Sequence, residues 1–382
     1  MQNSSKKISF SIFSKHRAAL SGLAILLIMV FHYFENVVQM GEEHIIYGPA
    51  LLWCRLIGSI GVELFLLISG IGLYFSFHKN RKLLSFYERR LKRILLPYFL
   101  VSVPFFLLRD IFVPVWELKQ TLVEMGVRDV SYGKILLESS QGISKGANWV
   151  NVLRDIFFVD FWREGDRSLW YIVFVLAMYL IFPIFYYLVE VDASLSKKAP
   201  HWYLMPILFT AFFVLAFHFF AGSHPEIWAN TEIAWLRIPV FLFGVYWGRK
   251  VFHKENFELG DYLFLAFGFV FYIIEFFCNS VTVPNGDRMV TGLFSMTVLL
   301  VLALFCQWVQ GAGDKRQGDN AFYSFLLFCG DRSLELYLTH VTIRSLFNAV
   351  DFKTCILWHY AICLAISFAL SVAIHKLLSA IK

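Results

Sequence analysis

A chain of 382 residues that is 58% hydrophobic and only 16% charged, with a mean hydropathy of +0.62, carries more apolar surface than a water-soluble domain can bury. The class that remains is an all-α polytopic membrane bundle, a single integral-membrane domain over 1–382. A net charge of +6 does not indicate nucleic-acid binding, because no basic segment stands clear of the apolar pattern.

Ten apolar runs are long enough to be expected as spans: 18–37, 51–77, 94–113, 169–189, 202–222, 233–249, 259–279, 289–310, 322–346 and 354–377. The first, from Arg17 to His32, follows Lys6, Lys7 and Lys15 as a signal peptide would, yet no small-residue cleavage site follows it. It reads as an uncleaved helix, in which His32 lies about 22 Å beyond Arg17 and so inside the hydrocarbon core. Basic residues then gather in alternate connections: Lys79 to Arg93, Lys197 and Lys198, Arg249 to Lys254, Lys315 and Arg316. The intervening short loops hold only Arg288 and Lys353, so both termini are expected in the cytoplasm. The exception is the long extracytoplasmic loop 114–168, whose Trp116, Trp149, Phe157, Phe158, Phe161 and Trp162 suggest an ordered element on the outer surface. The six cysteines all fall in apolar runs without a CxxC pair, so they read as core residues and not as a metal site.

Ionisable groups inside spans are the informative ones: His32, Arg55, Glu63, His218, Arg237, Glu275, Asp331, Arg332, Glu335 and His340. So many in so apolar a bundle point to a polar cavity, or else to charge pairs that glue helices together. An imidazole beside a carboxylate suits a general base, which makes His32 the first candidate and Glu63, at similar depth in the next span, its orienter. Pairing of Glu63 with Arg55 or Arg237 is the competing reading. Four glycines between Gly58 and Gly72 serve close helix packing or leave room for a thin ligand. Arg90 and Arg93 share a helical face with Arg89 alongside, an arrangement that suits a phosphate group or simply anchors the helix at the cytoplasmic face.

Taken in order, the motifs resemble the membrane acyltransferase 3 family of bacteria. They are L-x-G-L-A-I-L-L-x-x-x-x-H ending at His32, G-x-x-G-V-x-L-F-x-x-x-S-G at Gly58–Gly70 and R-R-x-x-R-I-x-x-P-Y at Arg89–Tyr98, then Leu169–Ile172, Arg237–Gly244 and Ser333–His340. The resemblance spans nearly the whole chain. It implies O-acyl transfer, usually of acetyl, from cytoplasmic acetyl-CoA to a hydroxyl of a glycan or lipid-linked saccharide, in the bacterial inner membrane. It carries the catalytic histidine to His32, the acidic position of G-V-[DE] to Glu63, and contacts to coenzyme A to Arg90 and Arg93. Arg89 and Arg17 join that donor set, and Trp170, Tyr171, Arg237 and His340 form the candidate acceptor set.

One position departs from the family: the usual arginine eleven residues before the histidine is Ser21, with Arg17 one turn earlier. The family's fused hydrolase-like domain is not expected here, so a relay through it would need a separate periplasmic or exopolysaccharide-assembly partner. On this reading the pantetheine arm runs between the first helices towards His32, and no metal takes part. A proton-coupled transporter is the rival class and would show paired broken helices, one in each half of the chain.

Overall fold

The computed structural model describes residues 7–58, 60–127, 131–135, 148–196, 203–278, 286–312 and 320–381. Among them the secondary structure is helical apart from one isolated antiparallel bridge between Ser9 and Asn256. The helices are α1 (Ser11–Lys15), α2 (Arg17–Met40), α3 (Tyr47–Ile57), α4 (Ile60–Lys79) and α5 (Leu83–Leu107), the last running through a π turn into α6 (Val113–Glu124). There follow α7 (Trp149–Ile156), α8 (Val159–Arg163), α9 (Trp170–Ser196), α10 (Leu204–Ser223), α11 (Pro225–Trp235) and α12 (Ile238–Phe252). The chain closes with α13 (Leu259–Cys278), α14 (Gly286–Ala312), α15 (Ala321–Asp331), α16 (Ser333–Ala349) and α17 (Leu357–Ile381).

Eight helical stretches among the described residues are long and apolar enough to cross a bilayer: Arg17–Met40, Tyr47–Lys79, Leu83–Glu124, Trp170–Leu195, Leu204–Ser223, Leu259–Phe277, Arg288–Gly311 and Leu357–Ile381. The protein is therefore multi-pass, and two of the ten expected spans fall in none of these stretches. The run 233–249 is divided between α11 and α12. Pro239 cannot donate to the carbonyl of Trp235 and its ring crowds that carbonyl, so α11 stops there and Arg237 becomes the N-cap of α12. The run 322–346 is divided at Arg332, whose guanidinium folds back to donate to the Phe328 carbonyl at 3.2 Å.

The chain resolves into two compact bodies. The first comprises Met1–Arg90, Phe174–Pro225 and Glu232–Ser333, and the second Leu91–Val173, Glu226–Thr231 and Leu334–Lys382.

In the first body α4 is the spine, with Leu64, Leu66, Leu67 and Tyr74 wholly buried along it. Its glycines are consumed by close packing. A Cβ at Gly61 would lie 2.9 Å from the Ala24 carbonyl of α2, and one at Gly70 only 2.7 Å from the backbone of Gly244 in α12. Without a hydrophobic force between helices in lipid, such backbone approach is what holds the bundle together. The space that a thin ligand would need at these two glycines is filled by neighbouring backbone. Gly70→Ala is accordingly expected to destabilise by about 1–3 kcal/mol. Gly311→Ala, where nothing lies within 4 Å, changes little. Thermal unfolding of the two variants in detergent compares them, and equal melting temperatures would contradict the packing account.

In the second body the described part of the segment 114–168 is largely helical. Tyr98, fully buried in α5, donates its hydroxyl to the Ile156 carbonyl at 2.9 Å and packs its ring 4.9 Å from that of Phe158. Residues 128–130 and 136–147 of that loop lie outside the described residues. Of the cysteines, Cys306, Cys329, Cys355 and Cys363 are buried and Cys54 is half-buried, while the side chain of Cys278 is outside the description.

Candidate functional site

His32 stands half-buried on α2, its ring 5.6 Å from that of Phe31, and its Nδ1 is buried. The α2–α4 register fixes its level. A Cβ at Gly58 would meet the Phe31 ring at 2.9 Å, a Cβ at Gly61 meets Ala24 and Ile28, and one at Gly72 meets Arg17 Nη1 at 3.2 Å. The two helices therefore run antiparallel, with His32 near the level of Gly58. Glu63 sits five residues further along α4, about 7.5 Å deeper along the axis.

That offset explains what Glu63 binds. Its carboxylate, with no exposed surface, accepts from Arg237 Nε at 2.7 Å, and Arg237 is itself only 4% exposed. Of the partners expected for Glu63, the structure brings Arg237 to its Oε1. Nη1 of Arg237 also donates to the Ile233 carbonyl, so this one side chain bridges the break between α11 and α12 and ties both to α4. A second pair, Arg288 Nη1 to Glu232 Oε2 at 2.7 Å, lies close enough to act on Arg237 electrostatically. Two acids and two arginines make a neutral set, the arrangement under which buried charge persists. Glu63 Oε2 is buried with no hydrogen-bond partner.

Towards the other end of α4 lie the residues assigned to the donor. Arg17 is exposed and lays its guanidinium over Gly72, so it occupies the α2–α4 seam despite standing one turn before the family's position. Arg89 is exposed and bonds Ser85 Oγ at 2.7 Å, while Arg90 is half-buried with its guanidinium carbon 5.9 Å from the Phe86 ring centroid. Arg93 follows one turn after Arg89 on the same helix and is exposed. Beyond them α4 is fastened by Tyr74, donating to Glu190 at 2.5 Å, and by His78, whose Nδ1 lies 2.8 Å from the Tyr186 hydroxyl. Between the donor arginines and His32, α2 and α4 pack closely at Gly61, where a Cβ would meet Ile28 and the Ala24 carbonyl.

The remaining candidates belong to the second body. His340 is fully buried with Nε2 3.2 Å from the Tyr360 hydroxyl, and the Tyr171 ring lies 5.2 Å from that of Tyr337. Trp170 lines a recess with Asp155 and Asp166, residues that sequence reasoning passed over. Arg109 holds this corner together. Its guanidinium meets Asp166 at 3.0 Å and Asp110 at 2.6 Å, also pairs with Asp155, and lies over the rings of Phe105 and Phe106. Arg109 and Asp110 fall within an apolar run, and that adjacency was the available signal. The partners contributed by the loop had none. Arg288 was likewise visible as the lone basic residue of its loop.

One guanidinium cannot neutralise three carboxylates, so a proton is retained. Burial, reinforced by repulsion from Asp110, Asp166 and Asp160, pushes Asp155 up to about 8 against the opposing pull of Arg109. Asp166 moves the other way, because hydrogen bonds from Ser168 and the Arg109 charge together outweigh its burial. For Asp155 the folded value lies above the unfolded one. Its protonated form therefore stabilises the folded loop fully at acid pH, and the contribution is lost as pH rises through about 8. Hydrogen exchange across 149–168, corrected for its intrinsic pH dependence, is expected to accelerate as pH rises towards about 8 and to level off above it. Asp155→Asn should remove the step, and a wild-type profile without one would contradict the assignment.

Among the described residues no group of three His, Cys, Asp or Glu side chains is placed to hold a metal ion. A family model described as an acyltransferase domain matches residues 19–376. No curated protein and no solved structure matches the chain.

Proposed function

Because the chain belongs to the acyltransferase 3 family, we propose that it is an O-acyltransferase of the bacterial cytoplasmic membrane that moves an acetyl group from cytoplasmic acetyl-CoA to a hydroxyl of a cell-surface or lipid-linked glycan. The observation that carries this reading is a half-buried histidine on a bilayer-length helix, inside a family match that spans almost the entire chain. An imidazole at that depth is costly to keep unless it works.

In the proposed reaction the acceptor hydroxyl attacks the thioester carbonyl while His32 takes its proton. Collapse of the tetrahedral intermediate expels the coenzyme A thiolate, which recovers the proton from His32, leaving an acetyl ester and free thiol. Arg17, Arg89, Arg90 and Arg93 serve the anionic donor, since guanidinium groups match phosphate geometry. Glu63 and Arg237 hold α4 to the α11–α12 break and so position the helix facing His32. Trp170 and Tyr171 serve the acceptor. The rival transporter reading asks for paired broken helices, one in each half of the chain.

Sealed vesicles of opposite orientation test the direction of transfer. Labelled acetyl-CoA added outside should acetylate endogenous glycan only in vesicles that present Arg89 and Arg90 outward. Equal labelling in both orientations, or none in either, would count against the proposal.

A further inference from the structure

The continuous helix from α5 into α6 carries an exposed apolar stripe at Leu96, Leu100, Leu108, Phe112 and Trp116, bracketed by the exposed charges of Arg93 and Glu117. Spacings of four residues and its multiple put these side chains on one face, the face a spanning helix turns to lipid. Residues 148–168, in the same compact body, return to this helix at two levels. They enter at the Asn148 amide, which donates to the Asp110 carbonyl at 3.2 Å, and leave at Asp166, 3.0 Å from Arg109. In between, the chain reaches Tyr98, whose hydroxyl donates to the Ile156 carbonyl at 2.9 Å and whose ring lies 4.9 Å from that of Phe158. Tyr98 stands about 18 Å before Asp110 along the helix, further than a tyrosine side chain reaches. So α7 descends from Asp110 towards the Arg93 end, and the chain then climbs back.

The two faces of α7 are reversed from those of a helix in water. Trp149, Val150, Leu153 and Phe157 are 47%, 62%, 57% and 67% exposed, and at helical spacing they fall within an arc of about 100°. The opposite side buries Val152 together with Asp155, which pairs with Arg109. Backbone inside a bilayer must find its partners in the protein, and this segment does so outside its helices too. Asn230 donates to the carbonyls of Trp162 and Arg163, and the Asp160 carbonyl accepts from the amides of Glu164 and Asp166. Arg154 pairs in turn with Asp160 and Glu164. We infer that 148–168 is a re-entrant segment. It enters the bilayer beside Asp110, turns at Phe157 and Phe158 next to Tyr98, and leaves at Asp166, with the exposed face of α7 covered by lipid acyl chains. Lipid is the occupant because α7 starts between Leu108 and Phe112 of the lipid-facing stripe and its exposed face offers only apolar side chains. The segment expected on the outer surface thus dips beneath it. The inference needs only the multi-pass fold and stands apart from the acyl-transfer reading.

The test uses the full chain in nanodiscs of phosphatidylcholine, either plain or brominated near the headgroup or near the middle of the acyl chain. Trp149→Phe removes one native ring and Phe157→Trp adds one at an exposed position, so the difference from wild type isolates the emission of each site. Both emissions are expected to fall at least twofold in brominated lipid and to resist acrylamide in the water phase. Position 149 should be quenched better by the shallow bromine and position 157 better by the deep one. Leu153→Trp, one turn beyond Trp149 and also exposed, keeps the depth comparison available should Phe157→Trp fail to fold. Emission quenched by acrylamide but not by bromine would put the segment in water. Blue-shifted emission insensitive to both quenchers would put it against protein. Equal depth for the two positions would remove the descent. Each of these three results overturns the inference.

Discussion

Arg237→Ala is expected to cost about 3–5 kcal/mol of stability, the range for removing one partner of a buried ion pair. Glu63 has no exposed surface and Arg237 is its partner at 2.7 Å, so the variant strands a carboxylate in the bundle interior. It also removes the side chain that links the Ile233 carbonyl to α4 across the helix break. Glu63→Gln should cost less, since the amide oxygen still accepts from Nε and Arg288 keeps Glu232 as its counter-charge. The double variant Glu63→Leu/Arg237→Met should recover much of the loss of the single alanine, because desolvation then applies to neither group. Reversible unfolding in mixed micelles measures all three. An Arg237→Ala variant within 1 kcal/mol of wild type would show that the pair does not fasten α4 to α12.

His32→Ala is expected to lower acyl transfer by about 10²–10⁴-fold, the usual contribution of a positioned general base. Donor affinity should be unchanged, since the arginines assigned to the donor lie elsewhere on α2 and α5. The register makes a sharper test available. Were Glu63 the orienter of His32, Glu63→Gln would lower the imidazole's basicity and shift the acid limb of the pH–rate profile to lower pH. With Glu63 engaged by Arg237 and about 7.5 Å away along the axis, the midpoint should stay where it is in wild type. A displaced midpoint in Glu63→Gln would restore the direct coupling.

Much of this architecture is readable from hydropathy alone, because a bilayer demands long apolar helices and leaves few alternatives. Eight of the ten runs correspond to such helices. The other two carry charges within them, and their breaks follow local features: Pro239 acting on the Trp235 carbonyl, and Arg332 capping Phe328. The glycines of α4 were legible as packing residues or ligand space, and only the approach of Gly244 and Ala24 decides between them. Listing interior charges found both members of the Glu63–Arg237 pair and left Arg55 beside Arg237 as a competing partner, because similar depth in two spans does not fix the register between helices. Asp155 and Asp166 were out of reach for a different reason. They are 46 and 57 residues from Arg109, and nothing in a loop's composition says where it folds back.

The most direct test of the central claim is calorimetric binding of acetyl-CoA to purified protein in nanodiscs, with free-thiol release followed on the same samples. Wild type should bind and slowly release thiol; Arg90→Ala/Arg93→Ala should lose binding; and His32→Ala should bind normally while thiol release falls away. A correctly folded wild type that binds no acetyl-CoA, or a His32→Ala variant that releases thiol at the wild-type rate, would contradict the account.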